Sequence, residues 1–294
     1  MMTNYIKILL ILFSVNITAQ DYLQDLLSTP SSSQVISNTF KSTRVINNHS
    51  VELFNPGHLD FRIAHRFGRL NSGIYNMYGL DQATMRIGLE YGLMNNMMIG
   101  LGRSTYQKTI DGYMKLRLLS QVSGQKSIPI SIVAFSNIEI NTLKKDVNNN
   151  LNGDNYPFLG RLSFCNQLLL ASKINRNFSM QLMPSWVHFN MVELQSDVND
   201  IFILGLGARY LITRRVSINS EYFIRFMKQS DKFIDRNVNS FSIGLDIETG
   251  GHVFQLHLTN SSPMHESGFM TQTEGRWLDG AIHFGFNISR EFNL

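Results

Sequence analysis

Apolar and polar residues alternate at period two along most of the chain after residue 58. Leu59, Phe61, Ile63 and Phe67 fall on one side of a strand and Asp60, Arg62 and Arg66 on the other. Further on, Ala83, Met85, Ile87, Leu89 and Tyr91 interleave with Gln82, Thr84, Arg86 and Glu90. Phe178, Met180, Leu182 and Trp186 oppose Ser179, Gln181 and Ser185. The chain finishes in the same way, with Ile282, Phe284, Phe286, Ile288 and Phe292 set between His283, Gly285, Asn287 and Ser289. Such alternation marks strands with one face in water and one out of it. Further strands are predicted near 97–106, 112–119, 127–138, 158–171, 201–212, 216–227, 240–248 and 252–261. With the quoted stretches these make about twelve, most of them near the roughly 9 to 11 residues of a tilted membrane strand. Strands in soluble folds are commonly shorter, about 5 to 6 residues.

The connections sharpen this choice. Long ones at 68–80, 141–155, 192–200, 228–239 and 261–277 alternate with short ones at 94–96, 173–177, 213–215 and 248–252. The order inverts once, at the third and fourth connections, "QKTID" and "SQVSGQKS". A soluble sandwich has no reason to alternate, whereas a membrane barrel has one rim of tight turns and one of longer loops. An even strand count then places both chain ends on the turn rim. In the terminal strand Phe284, Phe286 and Ile288 are assigned to lipid, and His283, Asn287 and Ser289 to the lumen. Pro184 removes a ladder hydrogen bond inside a strand, so a bulge or kink is expected there.

Composition agrees. Apolar residues make up 43% of the 294 and charged residues only 16%, against roughly 25% charged in typical soluble domains. The net charge of +4 and pI near 9.1 come from scattered Lys and Arg, with no basic run beyond Lys144-Lys145 or Arg214-Arg215. That excludes a nucleic-acid footprint. The single Cys165 excludes a disulfide framework and a Cys-rich zinc site. Lys7, the apolar run from Ile8 to Val15 and Ala19 have the form of a secretory signal peptide over residues 1–19. No cysteine follows to carry a lipid anchor. No later stretch approaches the roughly 20 apolar residues of a spanning helix, so a membrane form must be a barrel. The expected architecture is all-β: an antiparallel transmembrane up-and-down β-barrel at 58–294, preceded by the signal peptide and a periplasmic or plug segment at 20–57.

Several stretches, "LDFRIAHRFGRLN", "GLDQATMRIGLEYG", "GRSTYQKTIDGYMKLRLL", "GGHVFQLHLTNS" and "DGAIHFGFNISREF", together resemble a family of outer-membrane β-barrel proteins of Gram-negative bacteria known as a domain of unknown function. The resemblance spans roughly residues 39–294. It implies an outer-membrane barrel and carries no activity.

Strand parity places Arg62, Arg66, Arg86, Lys115, Arg117, Arg161, Arg209 and Arg225 on the lumenal face against Asp60, Glu90, Glu221, Asp246 and Glu248. A one-sided basic ladder favours anionic solutes; mutually paired charges make a filled, structural interior. His257 and His283 share lumenal parity on neighbouring strands, as a metal pair or as hydrogen-bonded lumen residues, and no third ligand is evident. "HLTNSS" gathers His257, Asn260, Ser261 and Ser262, yet His257 and Asn260 have opposite parity in a strand, which argues against a nucleophile and its base. "DVNNNLNGDN" departs from a calcium loop, because Asp146 as first residue puts Leu151 where Gly is needed and Pro157 where Glu is needed. Tyr91, Tyr106, Tyr113, Trp186, Tyr210 and Trp277 are candidates for interfacial girdles. No cofactor or metal is expected. The partners expected are outer-membrane lipid and either a small anionic solute or a periplasmic or surface protein.

Three functions are compatible with this pattern. The first is a narrow channel or binding barrel for a small polar or anionic solute. The second is a non-conducting structural or interaction barrel that uses its long external loops, 259–277 among them, or its N-terminal segment. The third is a lipid-modifying enzyme.

Overall fold

The computed structural model describes residues 33–143, 157–192, 197–226 and 237–294. Twelve antiparallel strands close into one barrel: β1 (His58–Arg69), β2 (Ala83–Met94), β3 (Met97–Ser104), β4 (Ile110–Leu119), β5 (Ser131–Ile140) and β6 (Leu162–Lys173). The second half follows as β7 (Phe178–Phe189), β8 (Asp200–Leu211), β9 (Val216–Arg225), β10 (Phe241–Thr249), β11 (His252–Thr259) and β12 (His283–Asn293). β12 pairs with β1 from Asn293 opposite His58 to His283 opposite Arg69. That pairing leaves the barrel no open edge, as a sheet in hydrocarbon requires.

The alternation read from the chain sorts the faces. Phe61, Ile87, Leu89, Leu101, Leu182 and Phe202 point outward and are exposed, while Asp60, Arg62, Arg86 and Glu90 between them are buried inside. In β12 His283, Asn287 and Ser289 are buried and the phenylalanines between them face out. Pro184 produces no bulge. Its outer neighbour Leu204 pairs in register, and on the β6 side the ladder lapses between Gln167–Ser185 and Leu170–Leu182 and resumes unshifted. The proline interrupts one ladder without displacing it. Register shifts fall instead at Gly92/Met94, Arg117/Leu119 and His283/Gly285.

One rim carries the turns 95–96, 120–130, 174–177, 212–215 and 250–251 together with both barrel ends; the other carries 70–82, 105–109, 141–161, 190–199, 226–240 and 260–282. The inverted pair of connections has a structural reason. The 120–130 turn is long because Val122–Ser123 pairs with Gln34–Val35 and so receives the N-terminal segment. The expected signal peptide over 1–19, residues 20–32 and the calcium-like stretch 146–155 lie outside the described residues.

Two segments fill the lumen. From the turn rim, residues 39–51 fold back as a tight hairpin in which Val45 N–H donates to Asn48 O at 2.8 Å and Ser50 N–H to Thr43 O at 2.9 Å. From the loop rim, the 260–282 connection sends in a short helix, α1 (Glu266–Thr271), with every residue buried. This corrects the expectation that 259–277 forms an external working loop: much of it is interior.

The filled lumen as candidate functional site

Arg62, Arg66, Arg86, Glu90, Lys115, Arg209, Glu221, Asp246, His257 and His283 are all buried on the inner side, and Arg117 and Arg225 are half-buried there. Two assignments change. Arg161 belongs to a 3-10 turn ahead of β6 and donates to the carbonyls of Asn141 (3.4 Å) and Leu143 (2.7 Å), fastening a loop of the outer rim. Glu248 stands half-open at the turn rim, where it pairs with Lys41.

The wall carboxylates have partners on the wall itself. Arg86 forks onto Asp111, with Nε donating to Oδ1 at 2.9 Å and the second nitrogen paired with Oδ2. Arg62 lies 3.7 Å from Asp60 and 3.6 Å from Glu90, and Asp246 accepts from Gln255 at 3.0 Å. The guanidinium of Arg86 lies flat over Gly102, and the Tyr113 ring covers Gly100; a side chain at either glycine would occupy that space. Asp111 and Glu139 escaped the parity reading because the predicted strands stopped one residue short of each.

Several wall cations are held differently. Lys115 donates to the carbonyls of Thr43 and Glu52, Arg117 to Val51 O, and Arg209 to Asn38 O (2.8 Å) and Thr39 O (2.7 Å). Arg66 reaches Asn47 Oδ1 at 2.7 Å and shares Asn287 Oδ1 at 3.1 Å. Their partners are mostly neutral oxygens of the N-terminal segment. Glu221 is the chief exception among the acids, since its carboxylate accepts from the backbone N–H groups of Asn47 (2.9 Å) and Asn48 (3.1 Å) and from the Asn47 side chain, capping the hairpin turn.

The two inserts meet at mid-lumen. Arg44 donates to Glu266 at 2.9 Å, the His49 imidazole lies 3.3 Å from the same carboxylate, and Asn137 donates to its other oxygen. Burial pulls the Arg44 guanidinium down, but Glu266, Tyr113 and Glu90 together more than offset this and its pKa ends raised. Burial, then Arg44 and Lys115, hold the His49 imidazole well below its ordinary value, so it is neutral near pH 7. His49 packs 4.4 Å from the rings of both Tyr113 and Phe135. Tyr113 is therefore a lumen residue and leaves the proposed girdle. Tyr106 leaves it too, its ring facing His265 across 6.0 Å. Trp186 and Tyr210 remain exposed on the outside.

A Ser–His–Glu cluster also lies inside. Glu139 accepts from His265 Nδ1 at 2.9 Å, from the Ser267 backbone N–H at 3.0 Å and from the Ser267 hydroxyl. An activated serine must donate to an imidazole that a carboxylate orients from its other side. Here hydroxyl and Nδ1 converge on one carboxylate oxygen, so the cluster docks α1 and activates nothing. Burial opposes protonation of His265, but Glu139, with Asp111 and Glu266, outweighs it and its pKa is raised. His257 is opposite Gly285 and His283 opposite Thr259, while His283 Nδ1 is engaged by the Phe67 carbonyl at 2.7 Å. The strand of His257 ends at Thr259, and Asn260 fixes the following turn by donating to Asn239 O and Gly275 O. Among the described residues no group of three His, Cys, Asp or Glu is placed to hold a metal.

At the loop rim a cavity of about 160 Å³ opens beside the end of α1, lined by Phe189, Met191, Val192, Val198 and Ile201 on its apolar side and by Tyr106, Gln107, Asp197, Asn237, Thr271, Gln272 and Glu274 elsewhere.

A closed barrel with an apolar exterior and a polar, twice-plugged interior defines a membrane β-barrel protein. The chain belongs to the family described as "Membrane bound beta barrel domain (DUF5777)", which matches residues 40–292. Among solved structures it is similar to the NanC porin (8% identity, TM-score 0.49, covering 80% of this chain and 100% of that one). It is also similar to the KdgM porin (8%, 0.46, 81% and 99%) and to an outer-membrane channel from Pseudomonas putida F1 (12%, 0.48, 82% and 98%). These likenesses are distant and carry no argument about function. No curated protein matches the chain in sequence.

Proposed function

We propose that this protein is a gated passage for small anionic solutes, closed in this conformation by its own N-terminal segment. The observation that carries the reading is the asymmetry among the wall charges. Asp60, Asp111 and Asp246 have partners on the barrel wall, whereas Lys115, Arg117 and Arg209 donate to oxygens of residues 38–52 and Arg66 sends one of its three hydrogen bonds there, to Asn47 Oδ1. Withdrawal of that segment would leave those cations facing water, while among the described acids Glu221 alone would lose all its partners from the segment and have none on the wall. The plug oxygens stand where the oxygens of an anionic solute would bind. A buried cation without such oxygens is costly, so a solute that supplies them competes with the plug.

The test is conductance in a planar bilayer, comparing the full chain with one lacking residues 20–57. No barrel strand pairs with the deleted residues, so the barrel ladder survives the deletion. The shortened protein should give a steady anion-selective conductance at least tenfold above that of the full chain. Arg66→Ala and Lys115→Ala should each lower its anion preference, and Arg86→Ala, whose charge is answered by Asp111, should lower it least. Silence from both proteins would overturn the reading. It would favour the second one, a non-conducting interaction barrel, for which the complete filling of the mid-lumen around Arg44 and Glu266 speaks.

A further inference from the structure

We infer that the solute is amphipathic: a small molecule with an aromatic or branched apolar body and an anionic head. This rests on the gated passage just proposed and narrows its substrate class.

The lumen is not polar all round. On β5 to β8 an apolar stripe follows the barrel from the loop rim to the turn rim, through Val187 and Ile201, then Ile203 and Met183, then Leu169, Phe135 and Val133, each at most 3% exposed. In the closed conformation it is covered by Phe40, Val45 and Val51 of the N-terminal segment and by Phe269 and Met270 of α1, and all of these form one hydrophobic cluster with the wall. Phe40, Val45 and Val51 belong to the N-terminal segment, so its withdrawal would bare the part of the stripe they cover, opposite Arg62, Arg66 and Lys115, while Phe269 and Met270 of α1 stay in place. A route for hydrated ions alone gains nothing from an apolar wall, and apolar constrictions dewet and oppose ion flow. An apolar wall facing a cationic one matches a molecule with one face of each kind.

The cavity at the loop rim is a second observation. Phe189 and Val198 on its apolar side pack against the same hydrophobic cluster, so the cavity is continuous with the outer end of the stripe. At about 160 Å³ it is close to the roughly 150 Å³ apolar cavity that accommodates benzene in a protein interior. Arg225 donates to the carbonyls of Asn237 and Thr271, two of its lining residues, and so stands behind the cavity wall. Asp197 and Glu274 line it as well, so the cavity takes the apolar body of the solute and the anionic head is left to the cations of the lumen.

The experiment uses the full-length protein in lipid vesicles and nanodiscs, with benzenesulfonate and methanesulfonate as probes. Both keep their charge at any working pH, so neither crosses lipid readily unaided. Benzenesulfonate should bind saturably in nanodiscs and enter vesicles at least tenfold faster than methanesulfonate. Phe189→Ser, a change at the half-buried rim, should reduce both the binding and the rate ratio several-fold. Equal entry of the two probes would overturn the amphipathic class and leave the passage standing. Binding of benzenesulfonate that Phe189→Ser weakens, with no entry of either probe, would uphold the amphipathic site and sink the passage. Absence of both binding and entry would overturn both.

Discussion

Along β1 to β4 the barrel turns Asp60, Arg62, Arg66, Arg86, Glu90, Asp111 and Lys115 to the inside, whereas the middles of β5 to β8 turn in Val133, Phe135, Cys165, Leu169, Met183 and Ile203. These two four-strand arcs, the charged half and the apolar half of β1 to β8, are lipid-facing outside and both are covered by the same two inserts, but the covering works by different physics. On the charged half the contacts are directional, so each hydrogen bond fixes where the N-terminal hairpin sits. On the apolar half, hydrogen bonds from Gln167, Gln181 and Arg209 to the segment are joined by non-directional contacts that scale with the area removed from water. The first half therefore holds the plug through directional bonds, and the second adds to such bonds the apolar burial that helps keep the lumen shut. A device that must open benefits from this division, because an entering polar group can replace hydrogen bonds at little net cost, while the apolar area holds until something apolar replaces it.

The largest expected effect breaks the junction of the two inserts. Glu266→Ala leaves the Arg44 guanidinium buried and without its nearer carboxylate, with Glu90 remaining at 3.8 Å, a loss of about 3 kcal/mol in the local stability of the plug. Hydrogen exchange over residues 43–50 should accelerate accordingly, and unchanged protection would show that the hairpin does not depend on α1. Replacing both partners, as Arg44→Met with Glu266→Leu, should restore much of the protection, since an apolar pair removes both charges together.

A change in the apolar half should behave in another way. Leu169→Ala leaves a cavity in the stripe and should cost about 2 to 5 kcal/mol, read as a lower denaturant midpoint of the refolded barrel, with the anion preference of the plug-deleted form unmoved. A shift in selectivity of the size expected for Arg66→Ala would erase the distinction between the halves.

The smallest effect is a pH dependence of α1. The raised pKa of His265 beside Glu139, with Asp111 and Glu266 also favouring its charged form, means that the folded state holds this proton more tightly than the unfolded one. Its contribution is complete below the ordinary imidazole value of about 6.5 and is lost as pH rises through the higher folded value. Exchange across Glu266–Thr271, corrected for its intrinsic pH dependence, should therefore quicken from pH 6 to 9 in the parent and stay flat in His265→Gln. A dependence that persists in the variant would assign the titration elsewhere.

Sequence alone determined the barrel. A period-two pattern has only two faces to fill, so Phe61, Ile87 and Leu101 could be assigned to lipid and Arg62, Arg86 and Glu90 to the lumen without a fold in hand. Alternating connection lengths then set which rim is which. The apolar half was the less legible part, because "IVAF" at 132–135 and "LLLA" at 168–171 are apolar on both faces and carry no parity signal for an inner stripe. Asp111 and Glu139 were missed at strand ends, where one residue of boundary decides membership. Only the tertiary structure decided what fills the lumen. The polar run 39–51 and the connection 260–282 have the composition of solvated loops. Local pattern cannot distinguish a loop that meets water from one that meets a ring of inward-pointing charges, because either can satisfy the same donors and acceptors. The choice lies with partners more than a hundred residues away, Glu221 for Asn47 and Glu266 for Arg44, and those become neighbours only when the barrel closes.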